Sequence, residues 1–190
     1  MKTGAVAFEK LHGYSWIEFL RRNSQKLAIF NEAMRSLSAA ITPAVTASCD
    51  WSRFPVIADI AGGIGTQLVS ILDAHPSCRG ILFDLPQMIA QAIPHERIEH
   101  IAGDFFSSVP GGADAYLLRW IIHDWAEPQA LAILRNIRKA MKPEARLVVV
   151  ESVVPDTPGF DLGKWMDVSM LVMTGGRERT AAEYAQLQIS

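Results

Sequence analysis

The run Val56-Ile-Ala-Asp-Ile-Ala-Gly-Gly-Ile-Gly65, followed at once by Thr66-Gln-Leu-Val-Ser-Ile-Leu-Asp-Ala74, decides the fold. Its first half is short, apolar and β-branched, the texture of a strand buried on both faces, and its second half is glycine-rich. The residues after it carry apolar side chains at helical spacing. A strand that turns tightly into a helix opens a βαβ unit, and glycines there let a ligand lie against main-chain N–H groups at the helix N-terminus. A plain tight turn with no ligand is the other reading of the same residues. Counting from Gly63, the sixth residue is Leu68, so the G-x-G-x-x-G dinucleotide pattern is not completed, and no G-x-x-x-x-G-K-[ST] occurs.

Four further runs have strand texture: Gly80 to Leu85, Arg97 to Asp104, Ala115 to Ile122 and Arg146 to Val154. Helical spacing separates most of them, at Thr66 to Ala74, Pro86 to Ile93 and Glu127 to Met141. Near-continuous apolar strands alternating with helices predict a Rossmann-like α/β fold, a doubly wound, mainly parallel sheet with helices on both faces. Ahead of it, Trp16, Phe19, Leu20, Leu27, Phe30, Met34, Leu37 and Ile41 recur mostly at three- and four-residue steps, until Pro43 and the polar stretch Ser48 to Arg53 interrupt them. The expected division is a helical lead-in over 1–54 and an α/β domain over 55–190.

Composition narrows the partners. The 190 residues carry 18 Lys and Arg against 20 Asp and Glu, a net charge of −2, so no surplus of positive charge is available to neutralise a phosphate backbone or coat an anionic membrane. Two cysteines, Cys49 and Cys78, make neither a disulfide framework nor a four-thiolate zinc site. No apolar run reaches the ~20 residues of a membrane span. Glu9 and Lys10 interrupt the N-terminus before a signal-peptide core can form. The expectation is a soluble cytoplasmic protein with a small-molecule ligand and no nucleic-acid or membrane partner.

The chemistry-bearing residues sit at strand ends. Asp84 closes the second strand, 25 positions after Asp59, where a carboxylate can accept from both hydroxyls of a ribose. Asp104, after Gly103, can accept from an adenine amino group, with Phe105 offering a ring face. Each Asp can equally cap a following helix. His123 ends the fourth strand, and Glu151, on the adjacent predicted strand, can hold its imidazole in one tautomer, the arrangement of a general base; a packed or capping histidine is the alternative. The other histidines show no H-E-x-x-H or Cys/His spacing, so no metal is required. Leu162, Met166, Met170 and Met173 form a helical stripe that suits a core or the wall of a pocket for a flat ligand. Thr180 and Glu183 fit a capping box, which leaves Glu178 unexplained by capping.

In order and spacing, DIAGGIG, LFDLP, GDFF, RWIIHDW, VVES and GGRERT make the chain, from about Phe8 onward, resemble the small-molecule O-methyltransferases of the caffeic acid and acetylserotonin type. The resemblance implies an enzyme that uses S-adenosyl-L-methionine to methylate hydroxyl groups, usually on aromatic acceptors. It implies that Ala61, Gly62, Gly63 and Gly65 cradle the methionine part, that Asp84 holds the ribose, that Asp104 and Phe105 read adenine, and that Arg119 stands where relatives more often have Lys. His123 matches the base, Glu151 and Glu178 the acids that orient it, and Phe30, Met34 and Met170 the acceptor wall. Relatives add an N-terminal helical dimerisation domain and a final strand pair. The expectation is therefore a shortened catalytic domain whose homodimer is weakened and which alone binds cofactor weakly. A non-catalytic cofactor-binding or interaction module of the same fold is the competing reading; a nicotinamide oxidoreductase rests on fold analogy alone and Leu68 speaks against it.

Overall fold

The computed structural model describes residues 5–187. They pack as two compact units, one from Ala39–Arg119 and Ala132–Val150, the other from the residues up to Ser38, Trp120–Leu131 and those from Glu151 onward.

The first unit is built on five strands, β1 (Val56–Ile60), β2 (Arg79–Asp84), β3 (Ile98–Ala102), β4 (Ala115–Arg119) and β5 (Arg146–Val150). All neighbours are parallel, in the order β3-β2-β1-β4-β5. The chain thus winds outward from β1 in both directions, and right-handed crossovers in opposite senses lay helices on opposite faces. This is the Rossmann-like sheet that the apolar runs predict. Ile57, Ala58, Ile60, Leu82 and Ala115 to Leu118 are wholly buried, which is why these strands read as continuous apolar runs rather than alternating ones. Leu68, Ile71 and Leu72 of helix α4 (Thr66–Ala74) share a core with Trp51, Ile57 and Leu117.

Several boundaries differ from the expected ones. The fourth strand stops at Arg119, because Trp120 takes φ 54°, which takes the backbone out of the extended ladder. The fifth stops at Val150, so Glu151 follows the strand instead of lying on it. Helix α5 covers only Pro86–Ile89; Ile93 N–H donates to Ile64 O at 2.9 Å, and Pro94 disfavours helical geometry just before it. In the lead-in, α1 (Ala7–His12), α2 (Trp16–Arg22) and α3 (Ser24–Ala47) form, and α3 runs through Pro43 instead of ending there. The lost i→i−4 bond is offset by burial of Thr42 and Val45, and the last turn is closed by Ser48 Oγ and Trp51 Nε1, which both donate to Val45 O.

In the second unit, Phe8, Trp16, Phe19 and Phe30 form an aromatic cluster, with Trp16 edge-on to Phe30 at 5.9 Å. The remaining α-helices are α6 (Glu127–Ala140), which begins in this unit and ends in the sheet unit, α7 (Leu162–Met173) and α8 (Ala181–Gln186), α7 capped by Asp161 Oδ1. Among the described residues no helix is long and apolar enough to cross a membrane.

The turn after β1 tolerates no side chain at Gly62. A Cβ there would stand 2.5 Å from Asp59 Cγ and 2.7 Å from Leu82 Cδ1, both buried. Gly62→Ala is expected to lower stability by about 1–3 kcal/mol, the cost of overpacking, measurable by urea unfolding; an unchanged midpoint would contradict this packing.

Candidate active site

In the sheet unit the predicted cofactor residues gather at the carboxyl ends of β1 to β4. Ala61 occupies the left-handed region, φ 57°, with its N–H on Phe83 O at 2.7 Å. Gly63 follows at φ 64°, and a Cβ added there would meet Met88 Cε at 3.9 Å, an ordinary contact with the end of a flexible side chain. Asp84 ties this turn down: Oδ2 accepts from Gly63 N–H at 2.7 Å and Oδ1 from Leu85 N–H at 2.6 Å. Burial raises the Asp84 carboxyl pKa, against those two donors. Asp104 Oδ1 accepts from Phe106 N–H at 2.8 Å, and Asn136 donates to the carbonyls of Phe105 and Phe106. Arg119 donates to Thr42 Oγ1 at 2.9 Å and Gln67 Oε1 at 2.7 Å.

Asp59 is the residue of this edge to which the sequence reading gave no role. It is 2% exposed, its Oδ2 has no hydrogen-bond partner, and burial lifts its pKa to about 7, against the pull of the Arg119 charge. The signal available in the sequence was an acid inside a run otherwise fit for the core.

The second unit assembles His123, Glu151 and Glu178. His123 sits in a short 3-10 turn, Ile122–Asp124, just after the left-handed Trp120. Its Nδ1 is 2.7 Å from Glu178 Oε1 and 3.6 Å from Glu151 Oε2, while Nε2 lies 3.8 Å from Asp124 Oδ1. The two acids divide the work. Glu178 holds the ring, whereas Glu151 Oε1 accepts from Ile121 and Ile122 N–H at 2.9 and 2.8 Å and fixes the turn that carries it. Burial pushes the imidazole pKa down, but the Glu178 bond and the charges of Glu151, Asp124 and Glu178 outweigh it and lift His123 to about 9. Burial also raises Glu151 to about 7. Donor atoms of the three residues lie within 4.8 Å of one another. Around a tetrahedral cation with bonds of ~2.0–2.1 Å, donors stand about 3.3–3.4 Å apart, so a 2.7 Å contact is the spacing of a shared proton.

The Gly175 to Thr180 segment is bound tightly to this turn. Arg177 N–H donates to His123 O at 2.9 Å, and Glu178 N–H donates to Asp167 Oδ1. A Cβ on Gly176 would run into His123 O, so only glycine allows this approach. The predicted acceptor residues lie in the same unit: Phe30 half-buried in the aromatic cluster, Met34 exposed on α3 and Met170 half-buried on α7.

A family model described as O-methyltransferase domain matches residues 1–190. The chain belongs to this family. Among curated relatives, phenazine O-methyltransferase PhzM of Lysobacter antibioticus is 38% identical, over 98% of this chain and 57% of that protein. The crystal structure of LaPhzM has a TM-score of 0.88 at 38% identity, over 98% of this chain and 58% of that one. The O-methyltransferase NcsB1 from neocarzinostatin biosynthesis, in complex with S-adenosyl-L-homocysteine and 1,4-dihydroxy-2-naphthoic acid, has a TM-score of 0.85 at 31% identity, over 98% of this chain and 58% of that one. The chain therefore spans little more than half the length of the family members it matches.

His123, Glu151 and Asp59 all hold their protons more tightly folded than unfolded. Such groups stabilise the fold at low pH and lose that contribution as pH rises through the folded value. For His123 the contribution is whole below 6.5 and lost by about 9. The melting temperature is expected to fall from pH 7 to 9, and to fall less in His123→Gln; equal slopes would sink the assignment.

Proposed function

We propose that this chain carries the catalytic part of an S-adenosyl-L-methionine-dependent O-methyltransferase that methylates a phenolic hydroxyl of a small aromatic acceptor, with His123 as the general base. The observation that carries the reading is the buried His123–Glu178 pair in a member of this family, with Nδ1 engaged and Nε2 left for a substrate proton. The remaining roles keep their assignment: Ala61, Gly62, Gly63, Gly65, Asp84, Asp104, Phe105 and Arg119 to the cofactor, Phe30, Met34 and Met170 to the acceptor, with 1–54 as lead-in and 55–190 as catalytic domain.

The residues present fit such a cofactor. Gly63 leaves room for a ligand against the main chain, and Asp84, with two further lone-pair directions beyond its two N–H partners, can accept from a ribose diol. When bound, the cofactor supplies an electrophilic methyl group on a sulfonium. What the protein itself does is move a proton. A neutral hydroxyl is a poor nucleophile, and His123 Nε2 accepts its proton while Glu178 and Glu151 stabilise the resulting imidazolium. A base lifted to about 9 is nearly matched to a phenol, whose pKa is about 10, so the transfer is close to thermoneutral. An aliphatic alcohol is far weaker as an acid, and that mismatch favours phenols. The NcsB1 complex with a dihydroxynaphthoic acid supports the same acceptor class. This reading also takes the working protein as a cytoplasmic homodimer, consistent with the exposed apolar face of α7 at Leu162, Trp165 and Val168.

Calorimetry with S-adenosylhomocysteine and, separately, NADH tests the cofactor class; binding of NADH alone would overturn it. Asp84→Ala is expected to weaken S-adenosylhomocysteine binding by about 1.5–3 kcal/mol, and unchanged affinity would remove Asp84 from the ribose site. His123→Gln should leave that affinity near the parent's and lower methyl transfer to phenols by on the order of 10²–10⁴. In the parent the rate should climb with pH toward about 9 as His123 loses its proton. A flat profile, or an equally active variant, would show that His123 is not the base.

A further inference from the structure

The carboxylate that engages the imidazole is held by few contacts of its own. Glu178 Oε1 is 2.7 Å from His123 Nδ1, while Oε2 is buried without a hydrogen-bond partner among the described residues. The buried donors on the two neighbouring residues, Arg177 Nε and Arg179 Nε and Nη2, are unpartnered as well, so none of them bonds to it. A side chain fixed by one bond keeps its aim only if the backbone beneath it is fixed. Two consecutive amides do that here. Arg177 N–H donates to His123 O at 2.9 Å and ties the segment to the turn that carries the imidazole. Glu178 N–H donates to Asp167 Oδ1, also at 2.9 Å, and ties it to α7. Nothing local accounts for Asp167. It lies in the middle of α7 between Met166 and Val168, where aspartate is a weak helix former, and the cap of that helix is Asp161. Among the described residues Asp167 makes no ion pair; its bond is to the Glu178 amide. Three residues further along the same helix stands Met170, assigned above to the acceptor wall.

We propose that Asp167 is a positioning residue for His123, its Oδ1 holding the backbone of Glu178 so that the carboxylate stays on Nδ1 of the imidazole. One helix then carries both the acceptor wall and the clamp on the acid that orients the base. The charged groups facing His123 are Glu178 and Glu151 at Nδ1 and Asp124 at Nε2, and Arg179 Nη1 donates to the carbonyl of Ile122, just before it. Burial lowers the imidazole pKa, and the Glu178 bond is the largest of the effects that raise it. Loosening Glu178 therefore moves the His123 titration down. The relevance to methyl transfer rests on His123 being the base, but the clamp itself is visible in the resting protein, without cofactor or acceptor.

Nitrogen NMR of the histidine rings in the full chain, with His123 assigned through His123→Gln, follows that titration. Three variants separate the position of the acceptor from its charge. Asp167→Asn keeps an oxygen in place and removes the charge; Asp167→Glu keeps the charge and moves the oxygen by one methylene; Asp167→Ala removes both. The His123 titration is expected to stay near the parent's in Asp167→Asn and to fall by about one pH unit, the worth of a hydrogen bond to a charged group, in Asp167→Glu and Asp167→Ala. The contrast between Asn and Glu stands even if the Ala variant does not fold. Equal titration in parent and variants overturns the proposal. So does a shift in Asp167→Asn with none in Asp167→Glu, which would make Asp167 a distant charge and not a clamp. The rise of the methyl-transfer rate with pH, measured on a panel of phenols, should move down with the imidazole. If the imidazole moves as expected and the rate profile does not follow it, the clamp on Glu178 is upheld and the base reading fails.

Discussion

Strand β1 is hydrogen-bonded along both edges, to β2 and to β4, and the arrangement of the sheet unit follows from that constraint. With both edges paired and Ile57, Ala58, Asp59 and Ile60 buried, the chain can leave β1 only beyond its end, through a turn that must clear Asp59 and Leu82. Gly62 makes that turn sterically feasible. Because the winding reverses at β1, the loops after β1 and β4 diverge there and leave an open edge, the usual place for a ligand on such sheets. Asp84, Asp104 and Arg119 share that edge because parallel strands all end at the same side.

The sequence was most legible where one physical pressure acts alone. Buried parallel strands demand continuous apolar runs, and VIADI, RGILFD and AYLLR show them; glycine at a close approach has no substitute, and the turn after β1 declares it. It was least legible where local preference and tertiary packing compete. Pro43 is a helix breaker by itself, yet α3 continues because its last turn is buried and closed by Trp51 and Ser48. The apolar stretch after Arg119 looks like more strand, but one backbone torsion at Trp120 converts it into the turn that carries His123. The acids could be foreseen as a pair, but not their separate tasks. Glu178 holds the ring and Glu151 holds the turn, a distinction set by distances that no spacing in the sequence encodes.

Electrostatics distinguishes the two clusters of acids. At the sheet edge, Asp59 is isolated from solvent, and the charge of Arg119 favours its ionised form without overcoming burial. Beside His123, two carboxylates share one imidazole, so that attraction outweighs desolvation and the ring ends up a stronger base than free histidine. An imidazolium gains from such company because its charge is compensated by the carboxylates around it. The cost is that ground-state histidine carries its proton at neutral pH.

The division of the chain into two units has a topological consequence. The polypeptide passes between them four times, after Ser38, Arg119, Leu131 and Val150. Neither unit is a continuous stretch of sequence, so no single proteolytic cut can release either one intact, and no expression boundary can separate them. A circular permutation would keep the interleaving, whereas deletion of any one internal segment would remove a part of one unit and rejoin parts of the other. Two of the crossings, after Arg119 and Val150, come at the ends of adjacent parallel strands and are followed within four residues by His123 and Glu151. Insertions at those two joints would fall where a strand of one unit hands the chain to the other, within four residues of His123 and Glu151.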